Sequence, residues 1–176
     1  KHIGMIQSIR EIPGFLTFLA VYFMFLLRED RLSALSVLLL GAGVAATGVF
    51  PSYIGLMLTT FVMSVGFHYF ETTNQSLTLQ YFNRDTSPWV FGKLRSMAAA
   101  SNVAVGLFIY FAADFLDFLQ LFLLVGGLVV AVGLWGLVQD PTDKEIVPQQ
   151  KRMIFKRRYG LYYLLTFLAG ARRQIF

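Results

Sequence analysis

The chain has no cysteine, which excludes disulfides and thiolate metal sites. Charge is scarce too: 14% of the 176 residues are Asp, Glu, Lys or Arg, where a soluble domain carries about a quarter. The two histidines, His2 and His68, lie too far apart in sequence for a local metal motif. Neither a metal nor a cofactor is expected. No HExxH, GxSxG or Gly–Asp aspartyl-protease signature is present, so an enzyme is not expected either. Nothing at the start reads as a signal peptide, because no small-residue cleavage site follows the first apolar run.

What fills the chain is apolar. Hydrophobic residues make up 56% of it, and the mean hydropathy is +0.62. A bilayer core about 30 Å thick takes roughly 20 mostly apolar residues in helix, and several stretches meet that requirement. In lipid only helices and closed barrels satisfy the backbone. The runs here are continuous rather than alternating, which rejects the barrel. The expected fold is all-α, a polytopic bundle of about six transmembrane helices.

Six segments follow from the apolar runs: A over about 4–27, B over 32–49, C over 53–81, D over 97–115, E over 118–138 and F from 159 to 176. Pro13-Gly14 predicts a kink in the first third of A. Arg28, Arg31, Arg84, Lys93, Arg95, Lys144, Lys151, Arg152, Lys156, Arg157 and Arg158 all fall in alternate loops. The loops B–C and D–E carry only Asp114 and Asp117. The positive-inside rule therefore puts the basic loops in the cytoplasm, with a bacterial inner membrane as the expected location. The net charge of +5 is accounted for in this way, and a nucleic-acid partner is not expected. The stretch 139–158, with Asp140-Pro141 and Pro148, reads as a cytoplasmic linker between 1–138 and a second bundle that begins at 159.

Polar residues are unevenly spread. B and E carry no charge within their apolar spans and read as peripheral, lipid-facing helices. D is rich in small residues (Ala98, Ala99, Ala100, Ser101, Ala104, Gly106), which predicts close packing on a neighbour. C holds the densest polar cluster, from His68 through Glu71, Asn74 and Gln75 to Ser76, with His68, Glu71, Thr72 and Gln75 on one face. A charge near the bilayer centre costs about 2.5–3.5 kcal/mol on insertion scales, so such groups turn toward partners or water. Three readings of the cluster stand side by side: a functional carboxylate at Glu71 supported by His68 and Gln75, a structural pairing of these groups, or hydration from the cytoplasm. In F, Arg172 and Arg173 lie deep enough for one to enter a cavity and meet an anion or Glu71. Arg10 and Glu11 read as an ion pair toward the outer interface.

This pattern resembles the major facilitator superfamily of secondary transporters, in which two six-helix bundles are joined by a long cytoplasmic linker. With A as the family's second helix, B and E take its peripheral third and sixth positions, and C and F take its cavity-lining fourth and seventh. Asp30-Arg31 occupy the place of the family's Gly-x-x-x-Asp-Arg-x-Gly-Arg-Arg loop, without its glycines. Phe91-Gly92-Lys93-Leu94-Arg95 is similar to the segment before the fifth helix in sugar symporters. The resemblance implies an internal fragment of a roughly twelve-helix carrier, its second bundle missing from this chain. It implies alternating-access transport of a small solute, with a proton as a candidate coupling ion. It also gives Asp30 and Arg31 the role of a conformational-switch loop. The rival is a non-transporting membrane scaffold or assembly factor, which predicts fully paired polar groups and no water-accessible cavity.

Overall fold

A computed structural model of the chain describes residues 2–140 and 156–165, and among these every regular element is a helix. They are α1 (His2–Phe15), α2 (Ala20–Leu26), α3 (Glu29–Val49), α4 (Tyr53–Tyr81), α5 (Ser87–Ala112) and α6 (Phe118–Val138). Four of them, α3 to α6, are long and apolar enough to cross a membrane. Segment A is divided. Pro13 sits inside α1, and the break comes just after it, as a 3-10 turn over Leu16–Leu19. The Thr17 hydroxyl donates to the carbonyls of Pro13 and Gly14, competing with the backbone ladder where the helix tightens.

The other boundaries follow from their caps. Glu29 and Asp30 lie in the first turn of α3, where the N-terminal dipole favours acidic side chains, so the helix opens three residues before the apolar run. Ser52 caps α4 by accepting from the Gly55 amide. Asp117 and Gln120 form a reciprocal capping box at the start of α6. The largest difference from expectation is α5, which begins at Ser87 with Pro88 in its first turn, ten residues ahead of segment D. Trp89, Lys93 and Arg95 are therefore helical rather than loop residues. Beyond α6, Arg157–Tyr159 form a 3-10 turn leading into helical residues 160–165. Most of the expected linker and the deep part of F, with Arg172 and Arg173, lie outside the described residues.

Packing order is α6, α3, α4, α1, and glycine sets the spacing. A Cβ built on Gly126 would lie 2.5 Å from the Ala45 amide nitrogen, and one on Gly66 would lie 2.6 Å from the Ser36 carbonyl. Gly133 meets Leu38 and Gly136 meets Ala34, so α3 and α6 run antiparallel. Gly43 meets Met63 while Gly66 meets Leu40, so α3 and α4 are antiparallel as well. Apolar surface gains nothing by leaving lipid for another helix, so backbone approach of this kind supplies the contact.

Two expectations about neighbours are corrected by this arrangement. α3 is not peripheral: it lies between α4 and α6 and buries Ser36, Gly41, Gly43 and Thr47. Its hydroxyls are absorbed by its own backbone, Ser36 donating to the Leu32 carbonyl at 2.7 Å and Thr47 to the Gly43 carbonyl at 3.0 Å. Nor do the small residues of α5 pack closely: Ala98, Ala99, Ala100, Ser101, Ala104 and Gly106 are all exposed among the described residues. Gly126→Ala should lower stability by about 1–3 kcal/mol through overpacking. Gly127→Ala, where nothing lies within 4 Å of the new Cβ, should stay within about 0.5 kcal/mol. Steric-trap unfolding in bicelles would compare them, and equal losses would refute the glycine contact.

Candidate functional site

α4 carries the polar residues, and its contacts fix their depth. At one end Glu29 of α3 accepts from Ser76 Oγ at 2.8 Å and from Gln80 Nε2 at 2.6 Å. At the other, Tyr53 donates to Met5 Sδ at 3.6 Å. Ser64 donates to the Arg10 carbonyl across an offset of 54 residues, and Gly14 meets the His68 ring at the same offset. α1 and α4 therefore run parallel and in register. At 1.5 Å per residue, Ser64 lies about 17 Å from Tyr53 and about 18 Å from Ser76, while Glu71 lies only about 8 Å from Ser76. Arg10, level with Ser64, is thus near mid-height rather than at the outer interface. Glu71 lies toward the end where α3 begins.

The cluster does not act as one face. It splits between two recesses, with Phe67 on the wall of both. Glu71, Asn74 and Gln75 line the first, of about 490 Å³, together with Phe70, Leu94 and Arg95. Arg95 reaches it because α5 starts early enough to be helical there. The side chains of Glu71, Asn74, Gln75 and Arg95 have no hydrogen-bond partner among the described residues, and none has a polar atom sealed from its surroundings. Thr72 and Thr73, between them, are satisfied by their own helix: Thr72 donates to the His68 carbonyl at 2.9 Å, Thr73 to the Tyr69 carbonyl at 3.0 Å.

His68 belongs to the second recess, of about 450 Å³, bounded by Arg10 and Glu11 of α1, Leu40 of α3 and Thr60, Met63 and Ser64 of α4. One helical turn separates it from Glu71, and α1 draws the imidazole away: a Cβ on Gly14 would lie 2.9 Å from His68 Cε1. Glycine at position 14 is what leaves room for the ring. Arg10 and Glu11 form the expected ion pair, Nη2 to Oε1 at 3.2 Å, but at mid-height and facing this recess. Sequence reasoning missed both Arg95 and this placement of the pair. The signal for Arg95 was present in Ser87-Pro88, a helix-start pattern.

Asp30 and Arg31 are separated in role by geometry. Asp30 accepts two hydrogen bonds from Arg28, at 3.1 and 3.0 Å, while Arg31 is exposed. Arg28 also reaches Asp140, just past the end of α6, at 2.7 Å. Its hydrogen bond to Asp140, then that to Asp30, raises the guanidinium above its ordinary range, so it stays charged. This clasp joins the start of α3 to the end of α6. Because the chain lacks cysteine, single cysteines can map the first recess without background. Cysteine at 71, 74 or 75 should label with a water-soluble maleimide, and at Thr73, which is fully buried, at least about tenfold more slowly. Equal rates at all four positions would remove the recess.

Protein-family models, curated proteins and solved structures were compared with the chain, and none matches it.

Proposed function

We propose that the chain forms part of a secondary transporter that moves a small solute by alternating access, of the kind the major facilitator superfamily performs. One observation carries this reading: Glu71, Asn74, Gln75 and Arg95 face a recess between two apolar helices without partners among the described residues. A scaffold has no use for such groups. Glu71, Gln75 and Arg95 are exposed and Asn74 half-buried, so a scaffold that set them against lipid would have to pair them to recover their cost. A carrier needs them unpaired, ready to bind, pair and release as the bundle changes shape.

In this reading Glu71 is the coupling or gating carboxylate. Asn74 and Gln75 lie within one turn of it, and Arg95 is the cation it closes onto when the recess narrows. His68, in the second recess, serves the solute path rather than Glu71 directly. The basic loops face the cytoplasm, so Glu71 lies toward the cytoplasmic side and His68 nearer mid-membrane. The Arg28–Asp30–Asp140 clasp then sits at the cytoplasmic rim, where Asp30 and Arg31 flank the movement.

Alternating access is testable without knowing the solute. Cysteine placed at position 67, on the wall shared by the recesses, should label with an impermeant maleimide from both sides of sealed, oriented vesicles. Glu71→Gln, which imitates the protonated acid, should change the ratio of the two rates by about tenfold, a shift of about 1.4 kcal/mol between the two states. Labelling from one side only, in both proteins, would overturn the transport reading and favour the scaffold.

A further inference from the structure

The second recess has a composition that narrows its ligand. Arg10 and Glu11 lie side by side at mid-height, and their pairing uses Nε and Nη2 of the arginine but only Oε1 of the carboxylate. Arg10 Nη1 and Glu11 Oε2 are left without partners among the described residues. Thr60 is 93% buried, lines the same recess, and its hydroxyl has no partner among the described residues either. Both ring nitrogens of His68 are in the same condition. None of the half-buried or buried residues among these has a sealed polar atom, and all four residues line the recess. The rest of the wall is Leu40, Met63 and Phe67, with Ser64, whose hydroxyl is taken up by the Arg10 carbonyl.

The charges decide the class of ligand. Arg10 and Glu11 cancel, and α3 brings only Leu40, so the carboxylate and guanidinium of the recess sum to no net charge. A simple anion gains Arg10 but is opposed by Glu11. A simple cation gains Glu11 but is opposed by Arg10. Both side chains are partly exposed, 51% for Arg10 and 39% for Glu11, so each opposing term is screened, but its sign is unchanged. A zwitterion satisfies both, its carboxylate on Arg10 Nη1 with Thr60 and His68 as donors, its ammonium on Glu11 Oε2, through charge-assisted hydrogen bonds. We infer that the recess between α1 and α4 binds a small zwitterionic solute with an apolar tail, of the amino-acid type. As the solute site of a carrier this rests on the transport reading, but the binding itself does not.

The test is calorimetric titration of the protein in lipid nanodiscs with three probes that share one branched tail. L-Leucine carries both charges, 4-methylpentanoate only the carboxylate, and 3-methylbutylamine only the ammonium. Leucine should bind at least about tenfold more tightly than either. Glu11→Gln should turn the preference toward 4-methylpentanoate, and Arg10→Gln toward 3-methylbutylamine. Loss of a purely structural pair would weaken all three alike. Thr60→Val, which keeps the shape of the side chain, should weaken leucine about tenfold through one lost hydrogen bond. Equal affinity for the three probes, or no heat from any up to roughly 10 mM with native helicity retained, would overturn the proposal. Leucine bound by protein whose vesicles accumulate none would instead sink the transport reading and leave the site standing.

Discussion

Everything else in this bundle depends on how closely α3 approaches its two neighbours. Gly41 and Gly126 at one contact, and Gly43 and Gly66 at the other, bring backbone against backbone. In water such a contact would be a minor supplement to hydrophobic burial; in lipid it replaces it. The approach also fixes register. With α3 set against α4, Glu29 falls opposite Ser76 and Gln80. With α3 set against α6, Arg28 falls opposite Asp140. The polar contacts at this end of the bundle are consequences of glycine contacts well inside it.

The extents of two helices were legible because they depend on local terms. Segments C and E coincide with α4 and α6, whose ends are marked by Ser52 and Asp117. Neighbour relations were not legible, and the reason is physical. Hydropathy measures the cost of leaving water, and a lipid tail and a leucine side chain are equally good alternatives. The charge-free span of α3 is therefore as compatible with the centre of a bundle as with its edge. The useful signal was the glycines of α3, which mark the capacity for close approach. That signal has its own limit, since α5 carries the same kind of residues and leaves them exposed among the described residues. Small side chains permit a contact without naming the partner.

The site was half legible for a related reason. Helical periodicity gives a polar stripe along α4, but a stripe says nothing about what stands on either side of it. α1 takes up His68 and α5 faces Glu71, so one stripe becomes two recesses. The depth of Arg10 is not legible from segment A, because a 3-10 turn and a change of helix lie between it and the loop at Arg28. The Ser64 hydrogen bond to its carbonyl measures depth directly against α4. Contacts between elements are the better ruler, and they are what a single sequence lacks.

The two recesses meet the same energetic problem in different ways. In the one between α1 and α4, Arg10 and Glu11 offset each other's cost within a single turn, so the recess stays near neutral and needs no ligand to persist. In the one between α4 and α5, Glu71 and Arg95 have opposite sign but are not joined by an ion pair, so their attraction is still available to be gained. A neutral recess suits selective binding, because it favours a ligand whose own charges match the pair. An unjoined pair of charges suits movement, because drawing them together lowers the energy of a second arrangement. Phe67 lines both recesses, and among the described residues α4 is the one helix that contributes to both.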